Sequence, residues 1–208
     1  MGIYNNYLLP RLTDCACRRK TIGEQRARLA PLAQGEVLEV GIGSALNLEF
    51  YAAERVRRVI GLDPSAPLLA LARRRAAGLP FRTSLLMGCA EAIALPDASV
   101  DTVVVTFTLC SIADVDAGLR EMRRVLRPGG RFLFLEHGLA PDPGVRRWQH
   151  RLTPLWRRFA GGCHLNRDVP SLITRAGFAI EAVDSGYLPR APRFAGYCFR
   201  GTAVPAAT

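Results

Sequence analysis

Gly41 and Gly43 stand between an apolar run that carries a carboxylate and a helical pattern, in Glu36-Val37-Leu38-Glu39-Val40-Gly41-Ile42-Gly43-Ser44-Ala45-Leu46-Asn47. Glycines at those places let the backbone turn tightly and let a ligand approach it, and amides at a helix start offer donors. About twenty residues on, the next apolar run ends in Asp63, whose carboxylate can accept both hydroxyls of an adenosine ribose. Asp63 also suits the start of a helix after Pro64, and the two roles are compatible. His137 closes a later apolar run; with an ordinary pKa of about 6.5 it suits proton removal or substrate binding. A hydrogen bond to loop backbone is an equal alternative for it. His164, Asn166, Arg167 and Asp168 crowd a short stretch opened by Gly161-Gly162, where Asn166 or Asp168 can equally begin the next helix.

The segments that must position these groups alternate between short apolar runs rich in Val, Ile, Leu and Phe and longer helical patterns. That is the pattern of a parallel sheet covered on both faces. The expected strands are Glu36–Val40, Arg57–Leu62, Arg82–Met87, Val100–Phe107 and Gly130–Glu136, with helices at Leu46–Tyr51, Ala66–Ala77 and Ala117–Leu126, the last halted by Pro128-Gly129-Gly130. These make five βα steps. Phe178–Asp184 and Phe194–Gly201, separated by a turn-like segment, read as antiparallel neighbours. The fold class is α/β, doubly wound, with right-handed crossovers. Ligands in such sheets sit beyond the carboxyl ends of the strands, which puts His137 on the right edge. Ile3–Leu29, with Tyr4, Tyr7, Leu8 and Leu12 at helical spacing, is expected to lie over that edge. Tyr4 and Tyr7 could close over a cation with their ring faces, although core packing is the commoner fate. Val145, Trp148, Leu152, Leu155 and Phe159 recur at steps of three and four, with Arg146, Arg147, Arg151, Arg157 and Arg158 mostly elsewhere on the wheel. This helix is expected to pack its apolar stripe on the domain, kinked at Pro154; the alternative is contact with a membrane interface.

Composition narrows the partners. In 208 residues with 49% hydrophobic and 22% charged side chains, there is material for one well-filled domain, and fibrous, disordered or disulfide-stapled chains are excluded. Of the 28 basic residues only Lys20 is lysine, and the net charge is +10. Such a charge favours anionic partners. The arginines are scattered in small clusters (Arg55/Arg57/Arg58, Arg73/Arg74/Arg75, Arg120/Arg123/Arg124/Arg127) without an aromatic-rich binding motif, so solvated helix faces are the expectation and nucleic acid is not. Six cysteines without CxxC spacing suggest reduced thiols and no metal, with Cys110 a small buried hydrophobe. No apolar stretch is long enough for a spanning helix, and no signal design opens the chain, so a soluble cytoplasmic protein is expected.

Two nucleotide cofactors use a glycine turn followed by an acidic strand end. A nicotinamide dinucleotide wants a third small residue where Leu46 stands, which demotes that reading. S-adenosyl-L-methionine carries no phosphate and needs a ribose anchor, an adenine slot and polar groups for its methionine end. Glu39 to Ala45, Asp63, Cys89-Ala90-Glu91 before Leu95-Pro96-Asp97, Val100-Asp101-Thr102-Val103 and Arg124-Val125-Leu126-Arg127-Pro128-Gly129-Gly130 together resemble the ordered motifs of Rossmann-like S-adenosylmethionine-dependent methyltransferases. They cover Glu36 to Glu136, about half the chain. The resemblance implies a doubly wound, mostly parallel Rossmann-like methyltransferase sheet ending in a C-terminal antiparallel strand. It implies that Glu39, Gly41 and Gly43 cradle the methionine part, that Asp63 holds the ribose, that Ala90 and Glu91 border the adenine, and that Thr106 and Leu109 line the floor. Asn47, Pro64 and Ser65 complete the cofactor set. Cys89 stands where many relatives carry Asp, and Ala45 where many carry Gly, so the adenine amino group falls to Glu91 or to a backbone group.

Tyr4 to Cys17, Glu136-His137-Gly138 and Gly161-Gly162-Cys163-His164-Leu165-Asn166-Arg167-Asp168 resemble small methyltransferase-like proteins that include membrane-associated alkyl-thiol methyltransferases and bacterial relatives. The animal members carry a hydrophobic amino-terminal anchor that this sequence does not show, which weakens transfer of the thiol substrate and of membrane residence. The organisation expected is one domain: 1–30 a helical cap, 36–137 the cofactor-binding core, and 138–208 substrate-side helices with a final strand pair. The expected activity is methyl transfer to a small, lipophilic acceptor, a thiol by resemblance only, with His137, His164 and Asn166 as catalytic candidates. Phospholipid or quinone-precursor methylation with peripheral membrane contact through Arg146–Arg158 is one alternative; an Arg-rich nucleic-acid-binding module retaining the fold is the other.

Overall fold

Neighbouring side chains on the central strands feed two different apolar layers. Val103 and Val105 join Leu38, Val40, Phe132 and Phe134 on one face, while Val104 joins Val37, Leu133 and Leu135 on the other. With a side-chain period of two, such strands are buried on both faces. In the computed structural model, which describes Tyr4 and residues 8–206, they are β1 (Gly35–Val40), β2 (Val56–Asp63), β3 (Arg82–Met87), β4 (Val100–Thr106) and β5 (Leu126–His137), joined by β6 (Phe178–Tyr187) and β7 (Tyr197–Pro205). The sheet order is β3-β2-β1-β4-β5-β7-β6; the first five strands are parallel and β7 runs antiparallel to both neighbours. The strand order reverses between β1 and β4, which opens a crevice at their carboxyl ends. The expected fold class is the observed one.

The helices are α1 (Leu9–Cys17), α2 (Lys20–Leu29), α3 (Ala66–Ala76), α4 (Val115–Val125), α5 (Pro143–Phe159), α6 (Val169–Arg175) and the single turn α7 (Arg193–Gly196). On α4, Val115, Leu119, Met122 and Val125 form the buried stripe, and Asp114 caps it by accepting from the Ala117 amide at 2.9 Å. That stripe and the buried Leu172 and Ile173 of α6 belong to one layer; Leu29 of α2 and Leu69 and Ala72 of α3 belong to the other. The amino-terminal pair reaches the sheet's carboxyl edge. Asp14 of α1 pairs with Arg75 of α3 at 3.0 Å and accepts from the Ser44 hydroxyl, while Arg26 of α2 bonds Asn47 and Thr106.

Several expectations need correction. No α-helix follows β1: only a 3-10 turn, Leu48–Phe50, occupies the expected Leu46–Tyr51 helix. Gly41, Gly43 and Ala45 hold φ values of +68°, +55° and +65°, and a backbone that keeps returning to the left-handed region cannot propagate a right-handed helix. The β3–β4 connection is also irregular, so among the five expected βα steps helices follow β2, β4 and β5. The expected strand at Phe194 begins at Tyr197, after α7. The arginines are not all solvated. Arg124 donates to Glu121, to Asp97 and to the carbonyls of Ile93 and Leu95, pinning the irregular β3–β4 segment onto α4.

α5 departs most. It buries Gln149 and Thr153, while Trp148, Leu155 and Phe159 are 57%, 61% and 58% exposed. The Gln149 amide bonds the Ala140 amide and the carbonyls of Gly138 and Phe194, and Thr153 donates to Asn166. A polar face that satisfies two loops faces inward, and the apolar stripe lies roughly 100° around the helix, toward solvent.

Leu119 has no exposed surface. Leu119→Ala is therefore expected to cost about 2–5 kcal/mol, read from urea unfolding as a lowered midpoint with an unchanged slope.

Candidate active site

At the end of β1 the backbone is shaped by contact. A Cβ on Gly41 would meet Thr108 Oγ1 at 2.2 Å, whereas one on Gly43 would meet nothing nearer than 3.9 Å. The first glycine lets the β1 and β4 ends close together; the second faces open space in a conformation that disfavours a side chain. The Gly43 amide donates to Asp63 Oδ2 at 2.8 Å and the Ser65 amide donates to Oδ1 at 2.8 Å. Burial raises the Asp63 pKa against the pull of those two amides. Each carboxylate oxygen keeps a further lone pair, the arrangement needed to accept two vicinal hydroxyls. Ser65 itself caps α3, and Pro64 beside it is exposed.

Behind the turn lies a buried polar chain. Glu39, only 1% exposed, accepts from the Tyr51 hydroxyl at 2.7 Å and from Asn47 Nδ2 at 2.9 Å. Asn47 Oδ1 accepts from Arg26 Nη1 at 2.6 Å, and both Arg26 and Asn47 donate to Thr106 Oγ1, at 2.9 and 3.1 Å. Burial pushes the Glu39 carboxyl up to about 7, opposed by Tyr51, Arg26 and Asn47. Arg26 Nε is buried without a partner, and Arg26 borders a cavity of about 520 Å³ that Cys17, Ala45, Leu48 and Phe50 also line. Sequence reasoning found Glu39, Asn47 and Thr106 but missed Arg26 and Tyr51, because one arginine among many and one tyrosine in a turn carry no distinctive spacing.

The remaining cofactor positions are more mixed. Ala90 is buried beside Gly118, and the Glu91 carboxylate accepts from the Asp114 amide at 3.2 Å, at the start of α4. Leu109 is fully buried in the core, so its side chain supports the floor from beneath while its amide donates to Glu136 at 3.0 Å. Cys89 is exposed.

At the ends of β4 and β5, Glu136 Oε1 accepts from the Thr108 and Leu109 amides, and its other oxygen is buried without a partner. His137 stacks on Phe107 with ring centroids 6.2 Å apart, and its Nε2 lies 3.2 Å from Cys163 Sγ. Burial disfavours the His137 imidazolium, but the Cys163 sulfur and the Glu136 carboxyl outweigh it and raise its pKa. The Cys163 thiol is pushed down by the hydrogen bond from Cys110 and by His137, against burial. Cys110 is buried, as expected of a small hydrophobe. It joins His137 and Cys163 in the one group of three metal-capable donors found among the described residues, all donor atoms lying within 4.8 Å of one another. The three are far apart in sequence, which hid the group from a search by spacing.

The other catalytic candidates have structural ties. His164 Nδ1 lies 3.0 Å from the Cys110 carbonyl, and its amide donates to the same oxygen at 2.8 Å. Asn166 bonds Thr153 and His150 of α5, which directs its amide to that helix. Arg167 donates to the carbonyls of Leu109 and Ile112, and Asp168 caps α6. Tyr4 donates to the Phe159 carbonyl at the end of α5 at 2.5 Å; Tyr7 lies outside the described residues.

Comparison with known proteins agrees with this geometry. Residues 38–134 match the family described as a methyltransferase domain. The chain is 33% identical to human thiol S-methyltransferase TMT1A over 168 residues, covering 78% of this chain and 67% of that protein. It is 32% identical to human TMT1B over 187 residues, covering 85% and 75%. A shorter match, 37% identical over 107 residues and covering 51% and 41%, joins it to the ubiquinone/menaquinone biosynthesis C-methyltransferase UbiE of Rubrivivax gelatinosus. Among solved structures, a SAM-dependent methyltransferase from Methanosarcina mazei superposes with a TM-score of 0.67 at 22% identity, covering 83% of this chain and 93% of that one. With the ordered motifs, the switch-point crevice and the clamped Asp63 in place, the chain belongs to the Rossmann-like S-adenosylmethionine-dependent methyltransferases.

Proposed function

We propose that this methyltransferase acts on a small, lipophilic thiol. The observation that carries this reading is the extent of the similarity to the thiol S-methyltransferases. It runs over 168 and 187 residues, well past the 38–134 cofactor segment, whereas the UbiE match is 107 residues long. Residues beyond the cofactor core shape the acceptor side, so likeness there bears on the acceptor.

The site fits the cofactor. The Asp63 carboxylate, between the Gly43 and Ser65 amides, suits the ribose hydroxyls, Gly43 leaves room beside it, and the Arg26 guanidinium bordering the cavity suits the carboxylate of the methionine end. Bound there, S-adenosylmethionine supplies an electrophilic methyl group and its own leaving group. The protein's part is to hold the acceptor in line and exclude water, which can contribute about 7–11 kcal/mol. Phe107, stacked on His137, gives the β4 and β5 ends an apolar character suited to a lipophilic molecule, with the sulfurs of Cys110 and Cys163 close to the imidazole. His137 is the residue we assign to holding that acceptor.

The exposed face of α5 supports a location. Trp148, Leu155 and Phe159 flanked by Arg147, Arg151 and Arg158 form an amphipathic surface complementary to anionic lipid, where lipophilic acceptors concentrate. No helix among the described residues is long and apolar enough to cross a membrane. The proposed setting is a reducing cytoplasm with this face resting on the bilayer.

Incubation with labelled cofactor and a panel of alkyl thiols, phenols and quinone precursors, read by mass spectrometry, is expected to label the thiols. Labelling of quinone carbon alone would overturn the reading in favour of the UbiE-like alternative. In flotation with vesicles containing phosphatidylserine, the wild-type chain should rise with the lipid, and a Trp148→Glu/Phe159→Glu variant should stay below. Equal behaviour of the two removes α5 from lipid contact. Asp63→Ala is expected to weaken cofactor binding at least about ten-fold by calorimetry, which corresponds to about 1.4 kcal/mol. For Glu39, the folded carboxyl titrates at about 7 against an ordinary 4.5, so the folded chain holds that proton longer than the unfolded chain does. Its contribution therefore falls by about 3 kcal/mol as pH rises from 4.5 through 7. Glu39→Gln should lose that slope, gaining stability over wild type between pH 5 and pH 8 in urea unfolding, while binding cofactor more weakly; parallel pH profiles would refute it.

A further inference from the structure

We infer that Cys110, His137 and Cys163 bind one soft divalent cation of the zinc class and leave a fourth coordination position for a sulfur ligand. The three donor atoms lie within 4.8 Å of one another, with His137 Nε2 3.2 Å from Cys163 Sγ. Two sulfurs held at about 2.3 Å around a tetrahedral centre are about 3.8 Å apart, so the observed spacing reaches metal geometry with small side-chain movements. Two thiolates and an imidazole are a donor set that zinc favours.

The backbone holds these donors in register. Cys110 follows β4, and its carbonyl accepts from the His164 amide, which fixes the Cys163–His164 segment against it. Gly161 and Gly162 adopt φ values of +59° and +82°, a turn that side chains disfavour and that delivers Cys163 to the cluster. His137 ends β5, and its ring rests on Phe107. The Arg167 guanidinium is committed to the carbonyls of Leu109 and Ile112. A divalent cation would balance the charge of two thiolates in a site where Cys110 and His137 are buried. Cys110 and Cys163 are both free thiols.

Three protein donors leave one tetrahedral position open, as in catalytic rather than structural zinc sites. Its occupant would be the acceptor's sulfur, an assignment that rests on the thiol reading above. Held there, the thiol would lose its proton to solvent, and its sulfur would form the new bond to the methyl carbon as the bond from that carbon to the cofactor's sulfonium sulfur broke, the electron pair staying on the cofactor; the thioether, a poorer ligand, would then leave.

The reduced, metal-stripped full chain is to be titrated with cadmium chloride, and separately with zinc chloride against a competing chelator. Saturation at one ion per chain with ultraviolet thiolate-to-cadmium absorption is expected. Cys110→Ser and Cys163→Ser should each weaken binding by at least about ten-fold and lower that absorption, and Cys15→Ser, which alters an exposed thiol of α1, should change neither. Zinc should also protect Cys110 and Cys163 of the unmutated chain, but not Cys15, from alkylation, a readout that does not depend on a variant folding. Absence of protection, or absorption that survives loss of both Cys110 and Cys163, overturns the site. Thiol methylation by stripped protein that binds no metal sinks the metal site alone; stoichiometric metal binding with no methylation of any thiol sinks the acceptor assignment alone.

Discussion

A carboxyl group buried at the end of β1 organises this molecule's working edge. Glu39 would be costly to bury alone, and its partners are drawn from three directions: Tyr51 from the turn after β1, Asn47 from the glycine loop, and Arg26 through Asn47 from the amino-terminal helices. Because Thr106 of β4 receives bonds from Asn47 and Arg26, both strands at the topological switch are held by the same chain of contacts. The crevice is thus defined by polar bonds at its base, while the apolar layers on the two sheet faces supply most of the cohesion. A low-dielectric site with fixed donors suits a cofactor whose two ends carry opposite demands, polar at the amino acid and apolar at the adenine.

How much of this could be read from sequence follows from the range of the forces involved. Strands β1, β2, β3 and β4 are set by local apolar runs, and their limits fall close to the expected ones. The placement of Asp63 beside the glycine turn was legible because it depends only on its own strand end and a nearby loop. The missing helix after β1 was not, since the pattern Leu46–Tyr51 is helical in type and is overruled by three left-handed residues and by the demand of Glu39 for Asn47 and Tyr51. Arg26 and the Cys110–His137–Cys163 group depend on contacts between segments far apart in the chain, for which spacing carries no signal.

α5 shows the same conflict resolved the other way. Its apolar periodicity marks a face that has to be covered, but not by what. Gln149 has three backbone partners in neighbouring loops, and an amide so fully satisfied outweighs the alternative of turning the aromatic stripe inward. The helix consequently presents Trp148, Leu155 and Phe159 outward together with arginine.

The joint between Asp14, Ser44 and Arg75 links three parts that are otherwise remote: the first helix, the glycine loop and the helix after β2. Arg75 also grips the Ser44 carbonyl at 2.6 Å, so the loop cannot shift without disturbing the helix above it. The latch ties the first helix, the glycine loop and the helix after β2 into a single mechanical unit, so that removing the Asp14 carboxylate would cut α1 loose from the loop and leave Arg75 to hold the Ser44 carbonyl by itself.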